Sequence, residues 1–241
     1  MNILTFDTEE QLNEAGAGVL SGMVQMNPSA VLGLATGGTP VGIYEQLVQT
    51  YKRGLVSFNK VTTFNLDEYV GITPEHHQSY NYYMRQHLFN HVDINLEQAH
   101  VPCGTAADLE EECVRYDRMI ENTGQIDIQL LGLGHNGHIG FNEPSHTLLS
   151  GTHVVELAEA TKTANARYFS DEEEVPQKAI TMGVGKILKA KSILLVVKGE
   201  DKAEIVKLAL TGPISTNCPA SLLQTHPHLT VLLDRAAGSL L

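Results

Sequence analysis

The densest chemistry in this sequence lies in Leu131–Pro144, LGLGHNGHIGFNEP, where an apolar run opens into a glycine-rich loop. That loop carries two histidines, two asparagines and a glutamate. A histidine becomes a useful proton carrier near neutral pH when a second group fixes its tautomer and tunes its proton affinity. Glu143 and Asn136 can do so for His138. His135-x-x-His138 with Glu143 also admits zinc, but the glycines break the helix that usually aligns such ligands, so acid–base work ranks above metal. The other histidines lack comparable surroundings, no serine lies in a nucleophile elbow, and no cysteine has a histidine signature beside it.

Two further segments add chemistry. Thr63–Tyr69, TFNLDEY, ends a strand-like run with adjacent acids, Asp67 and Glu68. Neighbouring carboxyls at a sheet's carboxyl edge raise one another's pKa, which suits a general base working near neutrality; the plainer alternative is a turn or helix cap. Leu34–Tyr44, LATGGTPVGIY, runs from strand through tight loop to helix. Thr39 suits the N-cap and Pro40 the first helical position. With two glycines allowing close approach, the free N–H groups of the helix start suit an anion cradle from Thr36, Gly37, Gly38 and Thr39; the plainer alternative is an ordinary strand-to-helix turn that uses two glycines. Neither a GxGxxG nor a Walker pattern is present, so neither a dinucleotide nor ATP is indicated. Lys202 opens a later helix, where a bound dianion would offset an otherwise unfavourable cation. Arg167, among aromatic neighbours, has the fork that grips phosphate oxygens.

These residues need a frame. Strand patterns at Asn2–Thr5, Ala30–Ala35, Val61–Asn65, Ile126–Leu133, Val154–Leu157, Ser192–Val197 and Thr230–Leu233 alternate with helical ones. The helices are expected at Glu9–Gln25, Val41–Lys52, Ser79–Phe89, Leu109–Asn122, Val184–Lys189 and Lys202–Leu210, with Thr8 and Gln11 making a capping box for the first. Near-continuous apolar strands between helices imply a mostly parallel sheet covered on both faces, with ligands beyond the strands' carboxyl ends. No repeat or linker divides the 241 residues, which read as one domain. The least regular stretch, His146–Gln177, holds the acidic run Asp171–Glu174; the plainer reading of that run is a solvated face, and the sharper alternative is a flap over a site.

Composition narrows the partners. Lys and Arg number 16 against 28 Asp and Glu, a net charge of −12, which argues against nucleic acid or an anionic membrane surface. Three cysteines without metal-ligand spacing suit reduced thiols in the cytoplasm, Met1–Glu10 lacks a secretory pattern, and no apolar run is long enough to span a bilayer.

Four segments together, ATGGTP at 35–40, FNLDEY at 64–69, GHNGHIGFNEP at 134–144 and Lys202 after Gly-Glu-Asp, resemble the glucosamine-6-phosphate deaminase family in order and spacing, across nearly the whole chain. The resemblance implies a Rossmann-like three-layer α/β/α sandwich with a mobile lid at roughly 146–177. It also implies conversion of glucosamine 6-phosphate and water to fructose 6-phosphate and ammonia, in amino-sugar catabolism, without metal or organic cofactor. His138 would open the sugar ring, oriented by Glu143 with Asn136 assisting, and Asp67 would move a proton from C2 to C1 beside its electrostatic neighbour Glu68. Thr36, Gly37, Gly38, Thr39, Arg167 and Lys202 would hold the phosphate. Longer, allosteric, hexameric members have Asp at position 136 and a basic pair where this chain has His153 and Val155, together with a C-terminal extension. The absence of that pair and extension implies a small assembly, a monomer first and a small homo-oligomer second, that N-acetylglucosamine 6-phosphate does not activate. Competing expectations are a 6-phosphogluconolactonase, which needs no base at C2, and a phosphosugar-sensing regulator, for which the chain has no DNA-binding element.

Overall fold

A computed structural model of the chain describes residues 1–157 and 176–241. Strand β1 (Asn2–Phe6) leads into helix α1 (Glu9–Met26), where the Gln11 amide donates to Thr8 Oγ1 and Gln11 Oε1 accepts in return from Asp7 N. Then follow β2 (Val31–Leu34), α2 (Val41–Lys52), β3 (Thr62–Asn65), β4 (Asp67–Tyr69), α3 (Tyr80–His87), β5 (Ala99–His100) and α4 (Leu109–Asn122). The described remainder comprises β6 (Ile128–Leu131), β7 (His153–Glu156), β8 (Lys178–Thr181), α5 (Val184–Leu188), β9 (Ser192–Val197), α6 (Ala203–Thr211) and β10 (Leu229–Asp234).

Seven strands form one sheet in the order β1-β10-β9-β6-β2-β3-β5, parallel at every pairing, as continuous apolar strands between helices demand. Its centre is dry: β2 and β6 are buried along their whole length, and β9 along all but its first residue. Removing one such Leu, Ile or Val side chain from water contributes about 1.5–3 kcal/mol. Strands β4, β8 and β7 make a separate antiparallel sheet.

The strand order reverses between β2 and β6. From β2 the chain builds outward to β3 and β5, and from β6 to β9 and β10. Loops leaving adjacent strands at such a point diverge and open a crevice. The TGG loop follows β2 and the His138 loop follows β6, so topology alone puts the glycine loop beside the histidine loop. Gly33 lets these two strands lie close, because a side chain there would meet the Gln129 amide at 2.0 Å.

Several boundaries differ from the sequence reading. Helix α2 begins at Val41 with Pro40 at its cap, and no side chain caps it, so Thr39 is a loop residue and not an N-cap. The helix expected over Ser79–Phe89 stops at His87 because Leu88 leaves helical geometry (φ −141°), and a 3-10 turn follows at Phe89–His91. Asp67 and Glu68 do not trail β3 as a turn; they form part of β4, paired with Thr181 and Ile180. Within the stretch taken as a flap, His153–Glu156 is strand, while residues 158–175, including Arg167 and Asp171–Glu174, lie outside the described residues.

Candidate active site

Three carboxyl-edge features meet around the crevice. The first is the loop after β2. Gly37 has φ +96°, a conformation open to glycine at little cost, and it turns the chain so that Gly37 and Gly38 are exposed. Among the described residues, the N–H groups of Gly37, Gly38 and Thr39 donate to no protein acceptor. Lys202 reaches this edge from the turn before α6, its Nζ donating to the Leu133 carbonyl at 3.0 Å. Burial lowers the pKa of the half-buried ammonium, and an anion alongside would restore its charge preference. His135, the other member of the possible zinc pair, faces Asp201 instead, with Nε2 at 2.7 Å from Oδ2.

The second feature is the β6 loop. Asn136 Nδ2 donates to Glu143 Oε2 at 2.5 Å, which turns Asn136 Oδ1 toward His138 Nδ1 at 2.8 Å. A carboxylate can only accept, so the amide nitrogen must be its donor and the amide oxygen must be the acceptor facing the ring. Nδ1 of His138 therefore carries the proton, and Glu143 Oε1 at 3.3 Å shares it. That leaves Nε2 with its lone pair, the basic nitrogen of the neutral ring. Gly134 makes room, since a side chain there would lie within 2.4 Å of three ring atoms of His138.

The third feature is the Asp67–Glu68 pair in β4, both buried. Burial, then the neighbouring Glu68 charge, pushes Asp67 up to about 8. Glu68 rises to about 7 through burial, opposed by backbone N–H donors: Tyr69 at 2.8 Å, Tyr80 at 2.9 Å and Asn81 at 3.0 Å. The last two are the first N–H groups of α3, so Glu68 acts as that helix's anionic cap. Gly140 (φ +57°) brings the histidine loop onto this pair: a side chain there would lie 3.0 Å from Thr181 Oγ1 and 3.5 Å from Asp67 Oδ2.

All the sequence-derived candidates except Arg167 thus fall on this one edge of the sheet. Sequence reasoning missed the groups that hold them. Tyr83 Oη donates to the Gly37 carbonyl at 2.7 Å, and Tyr44 Oη to the Ala35 carbonyl at 2.6 Å. Thr181 Oγ1 accepts from Phe141 N, and buried Asn142 donates to the Ile139 and Met182 carbonyls. Only Asn142, inside a motif already singled out, had a local signal; the others are ordinary polar positions on helices or a strand.

A switch-point α/β sandwich whose seven-stranded sheet is parallel throughout, with a histidine and buried carboxyls beyond its carboxyl edge, defines the class: a Rossmann-like small-molecule enzyme. More particularly, residues 7–232 match the glucosamine-6-phosphate isomerase/6-phosphogluconolactonase family model, and the chain belongs to that family. It is similar to the glucosamine-6-phosphate deaminase of Bacillus velezensis, 53% identical over 239 residues and 99% of both chains. Its likeness to that of Thermoanaerobacter pseudethanolicus is 48% over 100% of this chain and 95% of the relative. A solved monomeric glucosamine-6-phosphate deaminase superposes with TM-score 0.96 at 47% identity, covering both chains fully. The 6-phosphogluconolactonase of Trypanosoma brucei, at TM-score 0.77, 18% identity and 99% and 97% coverage, shares the fold.

Proposed function

We propose that this chain is a glucosamine-6-phosphate deaminase, converting glucosamine 6-phosphate and water to fructose 6-phosphate and ammonia. The observation that carries the reading is the hydrogen-bonded set His138–Asn136–Glu143, which leaves His138 Nε2 basic, on the same edge as a buried carboxyl pair. Nε2 takes the proton of the C1 hydroxyl and returns it to the ring oxygen, opening the ring. Asp67, ionised beside the C2 ammonium of the open chain, then takes the C2 proton and delivers it to C1. The double bond passes through a cis-enolamine and ends as a C2 imine, which water hydrolyses to the ketone and ammonia. Holding the shuttled proton on a buried carboxyl keeps it from exchanging with bulk water.

The phosphate is bound by Thr36, Gly37, Gly38, Thr39 and Lys202, with Arg167 as the further contact inferred from the sequence. Binding energy gathered there, away from C1 and C2, keeps the ring and then the open chain in register. A lactonase would leave Asp67 without a task. Purified protein given glucosamine 6-phosphate yields equal amounts of ammonia and fructose 6-phosphate; absence of both products overturns the reading.

The whole chain acts as one domain, supported by the pairing of its first strand with its last, β1 with β10. A monomer is supported by the monomeric relative of the same length. A cytoplasmic location is supported by the free thiols of Cys103, Cys113 and Cys218, and a place in amino-sugar catabolism follows from the proposed substrate; no helix among the described residues is long and apolar enough to cross a membrane.

A further inference from the structure

We propose that Tyr83 is a positioning residue for the anion-binding loop, acting through the Gly37 carbonyl to aim the Gly38 N–H at the substrate's phosphate. The proposal rests on the phosphate reading of Thr36–Thr39 and adds to it the group that sets the loop's aim.

The geometry is specific. A trans peptide holds its C=O and N–H in opposite directions within one plane. The Tyr83 hydroxyl, 2.7 Å from the Gly37 oxygen, therefore fixes where the Gly38 N–H points. Gly37 needs such a tether, because a glycine at φ +96° turns at little cost and its peptide would otherwise rotate freely. One residue pair back, Tyr44 grips Ala35 twice, donating to its carbonyl at 2.6 Å and accepting from its N–H at 3.3 Å. The loop is thus hung between two phenol hydroxyls, one on α2 and one on α3.

Tyr83 is itself held. Its ring packs on His87 one turn along α3, with centroids 4.4 Å apart, and burial drives its hydroxyl well above the ordinary tyrosine range, so it remains a donor. Helix α3 is anchored at its start by Glu68, through Tyr80 N and Asn81 N. One short helix therefore ties the carboxyl pair to the phosphate loop.

The test is Tyr83→Phe, which keeps the ring and removes the donor. Relative to wild type, the Michaelis constant for glucosamine 6-phosphate and the competitive inhibition constant for inorganic phosphate both rise by the same factor, about 3- to 10-fold, as expected for one lost hydrogen bond. The turnover number falls less than twofold. Tyr83→Met, which also lacks the hydroxyl but fills space adaptably, shows the same split. Both constants staying at wild-type values in a folded variant overturns the proposal, as does a loss confined to turnover or to melting temperature. If phosphate fails to inhibit even the wild type, the phosphate reading itself falls, separately from the role of Tyr83.

Discussion

Asn136 donates its side-chain amide to Glu143 at 2.5 Å and so presents its oxygen, not its nitrogen, to His138. An aspartate at this position would offer the ring an acceptor and a second negative charge. The asparagine offers the acceptor without the charge, and adds a donor that steadies the carboxylate. In the proposed mechanism Glu143 is then the group that stabilises an imidazolium when His138 takes its proton, and Asn136 is the group that fixes the tautomer.

The two roles separate by mutation. Asn136→Ala removes the acceptor and the donor together, and kcat/KM on glucosamine 6-phosphate falls about tenfold or more. Asn136→Asp keeps an acceptor on the ring but sets two carboxylates against each other, so its loss is smaller than that of the alanine variant. Steady-state assays of both variants check the order; equal rates for wild type and Asn136→Ala would remove Asn136 from the mechanism. His138→Gln, which cannot take the proton, slows turnover of the closed-ring sugar by about 100-fold or more.

Asp67→Asn abolishes transfer of deuterium from C2 to C1 of C2-deuterated glucosamine 6-phosphate and lowers kcat about 100- to 10,000-fold, with inorganic phosphate still inhibiting as in wild type. The same change alters stability with a definite sign. A carboxyl raised to about 8 in the fold from an ordinary 3.8 binds its proton more tightly folded than unfolded. Stability is therefore full below about pH 4 and is lost as pH rises toward 8, where the buried group must ionise. The asparagine has no such penalty. Its melting temperature matches wild type near pH 4 and exceeds it by about 4 °C or more at pH 8, measured by calorimetry.

Much of this site was legible from residue types and spacing, and the reason is local. Glycines at turns, a histidine with an amide and a carboxyl nearby, and an Asp-Glu pair after a strand each carry their meaning within a dozen residues. Alternation of apolar strands with helices was equally readable, because a parallel sheet buries both faces. What escaped is non-local or short. Strands β4, β5 and β8 have two to four residues and exist because partners elsewhere in the chain pair with them, as Asp67 does with Thr181. Tyr83 reaches Gly37 across 46 positions, and nothing in its own helix distinguishes it from Tyr82. Glu68 looked like a companion charge to Asp67, and its hold on α3 depends on a helix that starts 12 residues later.

That hold on α3 makes Glu68 separable from Asp67 in a pH profile. With both carboxyls present, kcat/KM rises with pH along an acid limb set by the pair, with apparent values near 7 and 8. Glu68→Gln removes the charge that helps to raise Asp67, so the base ionises more readily and the acid limb moves to lower pH. The amide accepts fewer of the N–H groups of Tyr69, Tyr80 and Asn81, and the variant loses about 1–3 kcal/mol of stability in urea denaturation. An acid limb left in place would mean that burial alone sets the Asp67 value.

The last prediction concerns regulation. The family resemblance implies a basic pair in longer members that respond to N-acetylglucosamine 6-phosphate, at the places where this chain has His153 and Val155. Here both residues belong to β7, where they pair with Thr181 and Ala179, and His153 Nδ1 lies 3.0 Å from the Gly151 carbonyl. A ring engaged with its own turn and an apolar neighbour give a phosphate no pair of cations to grip. The rate therefore rises hyperbolically with glucosamine 6-phosphate, and millimolar N-acetylglucosamine 6-phosphate changes neither its shape nor its half-saturation point except as a weak competitor. Strand β7 also pairs with β8, which carries Thr181 opposite Asp67, so an effector bound there would have a short route to the base. A sigmoidal curve that the effector makes hyperbolic would show that such a route is used and would overturn the unregulated reading.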